Sequence, residues 1–244
     1  MSKYIQTEGI VLRNYSLSDS DKIAVIFTRE YGIIRGYANG ARKLKSKFGS
    51  SLEPFTIVSL QYRIKEHNEL ARLERAELTA SHFALASERE SFETATYWCE
   101  LVLEFLPVMM SDERVFRLLI NSIKLLARQP KAENKLSCYF VIWLLKLTGF
   151  FPSITYCRIC KKRKSLKEMA FFTFSGVICS DCAVENKGVN DKVLLESLHR
   201  IVTSPPETFI SDTYFTEETL LLLNRRCERI IKNVIEERYQ KFAS

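Results

Sequence analysis

The chain is poor in the groups from which active sites are built. Its 244 residues include three histidines, His67, His82 and His199, too scattered to assemble a histidine-based constellation. No GxxxxGK[ST] loop occurs, and Gly36-Tyr37-Ala38-Asn39-Gly40 has neither a phosphate-binding spacing nor a helix after it. A GxSxG nucleophile turn is absent too. Asp19 and Asp21 flank Ser20 as a conceivable carboxylate pair for a metal-dependent nuclease, but turn formation before a strand accounts for them more simply. The expectation is a protein that is not an enzyme. Glycine and proline are also scarce, at 8 and 6, which argues against wholesale disorder. The densest apolar run, Phe140 to Leu145, is closed by Lys146 and is too short to span a bilayer. The opening MSKYIQTEGIVLRNYS lacks the apolar stretch of a secretory signal. No membrane association and a cytoplasmic location are therefore expected.

Cysteine is where the sequence becomes specific. Four of the seven fall as Cys157-x2-Cys160, eighteen residues, then Cys179-x2-Cys182, the spacing of a structural zinc site. Two thiolates two residues apart grip one ion from a tight turn, and the second pair completes a tetrahedral shell. Four thiolates leave no open position for a substrate or water, so one structural Zn2+ is expected rather than a catalytic one. Disulfides are the alternative, and an odd cysteine count with a metal-type quartet points instead to a reducing compartment. The segment between the pairs, carrying Phe171, Phe172, Phe174 and Gly176, is too short to own a core, so metal binding supplies much of its folding free energy. Cys99, Cys138 and Cys227 sit alone in helical patterns and read as buried free thiols.

The net charge of +7 is concentrated in two places. Arg29, Arg35, Arg42, Lys43, Lys45 and Lys47 are opposed within their stretch by Glu30 alone. Arg158, Lys161, Lys162, Arg163, Lys164 and Lys167 crowd the cysteine segment. Either run alone is as readily a solvated face, but two of them on a basic chain favour a polyanionic partner. An anionic membrane would prefer a basic amphipathic helix, and the first run lies among strands and loops.

Residues 1–80 read as about five short strands: Gly9 to Leu12, Lys22 to Thr28, Ile33 to Tyr37, Val58 to Ile64 with clear period-two alternation, and Leu70 to Leu78. With no long helix between them they predict a small β-barrel. Its basic residues would track phosphates while aromatics stack on bases, Tyr37 and Phe48 being candidate platforms and core packing the alternative for each. From about Ser81 the pattern turns helical. Ser111-Asp112-Glu113 marks an N-cap before a helix closed by Pro130, and a second helix runs from about Ala132 to Gly149. Helical pattern resumes near Asp191, breaks at Pro205-Pro206 and returns from Thr216 to Phe242. The expected fold class is thus α+β and multidomain: a barrel at 1–80, then a helical domain at 81–244 with a four-cysteine zinc ribbon inserted at 153–187.

Three groups of residues carry a family likeness. The first is Thr7-Glu8-Gly9-Ile10-Val11-Leu12, followed by Ser20-Asp21-Lys22-Ile23 and Phe27-Thr28. The second runs from Gly32 to Gly36 into Gly40-Ala41-Arg42-Lys43, Ser46, Phe48-Gly49 and Leu52-x-Pro54-Phe55. The third is the helical region whose second cysteine pair follows Phe174-Ser175-Gly176. Together they resemble the RecO family of bacterial recombination mediators and DNA-repair proteins, over essentially the whole chain. The resemblance implies that the barrel is an OB-fold and that the helical domain encloses the ribbon. It further implies binding of single- and double-stranded DNA, annealing of complementary strands, and joint action with RecR to help load RecA onto DNA covered by single-stranded DNA-binding protein. A nucleoid-associated cytoplasmic location goes with it. Arg42, Lys43 and Ser46 fall in the family's basic Gly-Ala-Arg-Arg-like stretch, lysine standing for the second arginine. Arg35, Arg42, Lys43, Lys45 and Lys47 are the expected DNA contacts. Lys161 stands where a glycine often follows the first cysteine pair, and one glycine precedes Cys179 where two are common. A zinc-ribbon factor of transcription or translation, gripping nucleic acid through Lys161 to Lys167, is the competing reading.

Overall fold

A computed structural model describes residues 2–65, 70–183 and 191–243. His67 and the expected last part of the ribbon, residues 184–187, lie outside them. Strands β1 (Ser2–Ser16), β2 (Lys22–Thr28), β3 (Gly32–Ala38), β4 (Ile57–Lys65) and β5 (Leu70–Ala80) pair in the order β1-β2-β3-β5-β4 and close on themselves. This is the OB-fold arrangement that the likeness implies. The β3–β5 ladder is parallel and short, Arg35↔Leu70 to Tyr37↔Arg72, and the others are antiparallel.

Strand β1 is much longer than the Gly9-to-Leu12 stretch expected from sequence. Ser2 to Ile10 pair with β4 and Gly9 to Ser16 with β2, with the register shifting between Val11 and Arg13. One bent strand therefore serves both neighbours, as a bulge allows. Its first half escapes a hydrophobicity reading because Tyr4 and Gln6 face outward while Ile5 and Thr7 are buried. Closing the ring covers most of the sheet's free edge, the β3–β5 seam being paired from Arg35 to Tyr37. Its interior is filled by Val11, Ile26, Ile34, Val58, Leu60, Tyr62 and Leu73. Gly36 is required there, since a Cβ would run into the Leu73 side chain.

Residues 39–56 join β3 to β4 without regular secondary structure, yet they are tightly held. Phe48 and Leu52 turn inward and belong to the barrel core. Phe55 N–H donates to the Val11 carbonyl and Val11 N–H to the Thr56 carbonyl, both at 2.9 Å. The loop is thus a plug stitched to β1.

Helices α1 (Arg89–Phe105) and α2 (Glu113–Arg128) share a compact unit, Met1–Glu133, with the barrel. Asp112 caps α2 as its sequence predicts, accepting from the N–H groups of Arg114 at 2.9 Å and Val115 at 3.3 Å. Phe116 of α2 meets Phe27 of β2 edge-to-face at 5.4 Å, and Phe92 of α1 meets Phe55 at 5.5 Å.

The second unit, Asn134–Ser244, contains nearly all of α3 (Glu133–Leu147), then α4 (Lys192–Thr203), α5 (Pro206–Ser211) and α6 (Glu217–Ala243). A hairpin of β6 (Met169–Thr173) and β7 (Gly176–Cys179) lies between α3 and α4 in the chain. Helix α5 is an addition to the sequence reading: Pro206, expected only to break a helix, occupies its first turn, where the missing N–H costs nothing. Tyr139, Trp143, Phe209 and Phe215 form the aromatic part of this unit's core, Trp143 donating to the Ile201 carbonyl at 3.2 Å. Cys99, Cys138 and Cys227 are buried free thiols, as expected. Burial drives the Cys99 and Cys138 thiols far above their ordinary range, and pushes Cys227 up to about 12.

Candidate nucleic-acid interface and metal centre

The plug explains how a run of cations is displayed. With Ala41, Phe48 and Leu52 turned into the core, Arg42, Lys43, Lys45 and Lys47 are left on the outside, all exposed. Arg42 is anchored twice to the β1–β2 turn, by its N–H to the Ser20 carbonyl at 2.9 Å and by its guanidinium to the Ser18 carbonyl at 2.8 Å. Lys47 lies over the Phe48 ring at 5.0 Å and donates to the Glu74 carbonyl at 2.7 Å. Neither these four nor Arg35, exposed on β3, has a carboxylate partner among the described residues. Their charge is free for another anion. Arg29, from the same basic run, is committed to Glu8 and lies over Phe116.

For Phe48 the structure takes the core-packing alternative that the sequence left open. Only 3% exposed, it presents no ring face to a base. A loop crossing an open barrel mouth has one way to bury apolar area, which is to point its phenylalanine down. Tyr37 stays half-buried on the outer face with its hydroxyl donated to Asp21 at 3.0 Å. Asp21 also accepts from the Gly40 N–H at 2.8 Å, and that bond, with those of Ser20, Tyr37 and Ser18, lowers its carboxyl to about 2 despite an opposing desolvation. The aspartate therefore fastens the start of the loop, and it joins no cluster of metal-ligating groups among the described residues.

Register brings Tyr37 together with three residues that sequence reading passes over. Tyr37 stands opposite Arg72, Arg72 opposite Arg63, and Arg63 opposite Tyr4, one row across β3, β5, β4 and β1. Alternation in β4 gives the outward direction of Arg63, but only the ladders place the four side by side. On α6, Leu222, Arg225, Arg226, Glu228, Arg229 and Lys232 line a further, mainly basic concavity of about 460 Å³, Arg226 being paired to Asp191 at 3.5 Å.

The four cysteines of the quartet converge. Their sulfurs all lie within 4.8 Å of one another, Cys160 to Cys179 at 3.9 Å. A tetrahedral ion with metal–sulfur bonds of about 2.3 Å places its ligands about 3.8 Å apart, so the set fits a closed all-thiolate site. Cys157 and Cys179 are buried, while Cys160 and Cys182 are half-buried. Burial opposes ionisation of Cys157, but N–H groups of Cys179, Cys160 and Ile159 outweigh it and lower the thiol to about 6. Lys161 takes the left-handed conformation, φ 59°, that a glycine would hold after the first pair. The strain costs about 1–2 kcal/mol and is offset by its N–H bond to the Cys157 carbonyl at 2.9 Å. Behind the ligands, Phe172 is fully buried and stacks obliquely on Phe151 at 5.9 Å. Lys164 is drawn in by Asp181 at 2.8 Å and Glu168 at 3.4 Å, which uses up part of the ribbon's charge.

Comparison with known proteins covers both units. Residues 1–82 match the family described as Recombination protein O N terminal, and residues 87–241 match Recombination protein O C terminal. The DNA repair protein RecO of Koribacter versatilis (strain Ellin345) is 30% identical over 210 residues, 82% of this chain and 84% of the relative. That of Syntrophus aciditrophicus (strain SB) is 33% identical over 179 residues, 72% and 69% of the two chains. That of Thermoanaerobacter sp. (strain X514) is 28% identical over 214 residues, 87% and 82%. No helix among the described residues is long and apolar enough to cross a membrane.

Proposed function

The chain belongs to the recombination protein O (RecO) family, and from that premise we propose that it is a non-enzymatic DNA-binding mediator of recombinational repair. It binds single- and double-stranded DNA and anneals complementary strands. With RecR it helps load RecA onto DNA coated by single-stranded DNA-binding protein, in the bacterial cytoplasm at the nucleoid. The DNA-gripping part is the barrel at 1–80; the helical part at 81–244 receives protein partners.

The observation that carries this reading is the row of exposed cations Arg42, Lys43, Lys45 and Lys47, none paired to a carboxylate among the described residues, on a loop fixed by Phe48 and Leu52. Phosphates displace counterions there at little ordering cost, because the loop backbone is already set. Grip on the backbone alone does not distinguish one sequence from another, as a mediator acting on any broken DNA requires. Cys157, Cys160, Cys179 and Cys182 would hold one Zn2+, which when bound closes the ribbon and offers no open position for chemistry. The competing reading, a transcription or translation factor that binds through its ribbon, is disfavoured by Lys164, whose charge is already taken by Asp181 and Glu168.

The test is the combined replacement of Arg42, Lys43, Lys45 and Lys47 by alanine. Single-strand binding is expected to weaken, with the slope of log affinity against log salt falling by about 0.7 for each phosphate left unneutralised. Annealing of strands coated with single-stranded DNA-binding protein should fall with it. Unchanged affinity and slope in a folded variant would remove this surface from the function.

A further inference from the structure

Small barrels of this topology commonly take oligonucleotides on the face of strands β2 and β3. Here part of that face is covered from within its own unit. Phe27 of β2 packs against Phe116 of α2, and Ile33 of β3 forms a bridge to Val108, whose near neighbour Met110 abuts Gly32. From the far end of β3 across β5, β4 and β1, the outer face carries the row Tyr37, Arg72, Arg63, Tyr4. Tyr4 is 53% exposed, and the side chains of Arg63 and Arg72 are 59% and 68% exposed. With neighbouring strands about 4.8 Å apart, the four positions span about 14 Å.

The chemistry of the row is alternately stacking and cationic. The Arg63 guanidinium lies 5.9 Å from the Tyr4 ring centre. Both tyrosines are pinned by their hydroxyls, Tyr4 donating to Gln61 at 2.6 Å and Tyr37 to Asp21 at 3.0 Å, so neither ring has to be ordered on binding. Glu74 holds Arg63 and Arg72 at 3.6 Å each, solvent-exposed pairs loose enough to yield to a phosphate.

We propose that Tyr37, Arg72, Arg63 and Tyr4 form a base-stacking track for single-stranded nucleic acid, bordering the phosphate-gripping loop but different from it in chemistry. Unpaired bases lie on the tyrosine rings and guanidinium planes, and the backbone phosphates meet the arginine forks. A duplex keeps its bases stacked on each other and presents no free faces to the tyrosines. The loop holds any backbone, whereas the track selects the open strand. This inference rests on the nucleic-acid reading above and adds strand selectivity to it.

The experiment measures binding of a fluorescent oligo-dT and of a duplex of equal length to the full chain. Tyr4→Ala combined with Arg63→Gln should weaken oligo-dT binding roughly 5- to 150-fold while changing duplex binding less than about twofold. Tyr4→Phe keeps the ring but loses its bond to Gln61, and should weaken oligo-dT binding far less than the double variant does. The four-alanine loop variant should lose affinity for both probes. If a folded Tyr4→Ala, Arg63→Gln variant loses neither probe, or loses both equally, the track is wrong while the loop reading stands. If the natural chain binds neither probe, both fall.

Discussion

The loop between β3 and β4 and the ribbon from Cys157 to Cys182 each hold a run of lysines and arginines on a short excursion from the regular fold. The loop is anchored by side chains: Phe48 and Leu52 enter the barrel core, and Asp21 ties down Gly40. The ribbon draws on four sulfurs set for an ion, with Phe172 as its main apolar anchor. The first anchor lasts as long as the barrel does. The second depends on thiolates, and so on metal supply and redox state. Their cations differ accordingly. Those of the loop are left without acidic partners among the described residues, while Lys164 in the ribbon is spent holding Asp181 and Glu168. A plugged loop displays charge, and a metal loop consumes some of it to keep its shape.

The contrast is open to direct attack. The largest effect should come from removing the metal, by a strong chelator or by Cys179→Ser. Structural zinc contributes about 10–16 kcal/mol in isolated small domains, so the ribbon should open and trypsin should cut between Lys161 and Lys167. The barrel's urea midpoint should stay where it was; if the two collapse together, the anchors are not independent. Phe48→Ala comes next and should cost the barrel about 3–5 kcal/mol in urea unfolding, with the same metal content as the natural chain. A cost under about 1 kcal/mol would mean that the plug is not what holds the loop.

The smallest effect is one of pH. Asp21 is lowered from 3.8 to about 2, chiefly by the Gly40 N–H. A depressed carboxyl stabilises the fold above its unfolded pKa, and that contribution is lost as pH falls from about 4 toward 2. Asp21→Asn should therefore flatten the acid limb of the stability curve in that window. An acid limb identical in the two proteins would show that the loop is not fastened there.

How far these features can be read in advance depends on whether their cause is local. The cysteine spacing, the alternation from Val58 to Ile64 and the cap at Asp112 are each specified within one short segment of at most 26 residues, and each holds in the structure. Phe48 is legible as an aromatic in a basic stretch but not in its direction, because the mouth it fills is made by distant strands. The first half of β1 escapes notice because its partner lies more than fifty residues away, Ser2 against Lys65. The row from Tyr37 to Tyr4 is a product of three ladders and is written in no one segment. Lys161 shows the reverse: a residue unsuited to its conformation is held there by the ligands around it.

The double pairing of β1 has a consequence for the order in which the chain is made. Its second half can zip to β2 across a short turn, but its first half must wait for Ile57 to Lys65 to emerge. At about 5–20 residues per second that leaves a bare strand edge for roughly 3 to 11 s on each nascent chain. Such an edge is a template for pairing with another copy. Lys3, Gln6 and Glu8, which interrupt the hydrophobic pattern of the strand, are well placed to keep neighbouring nascent chains apart until the ring closes.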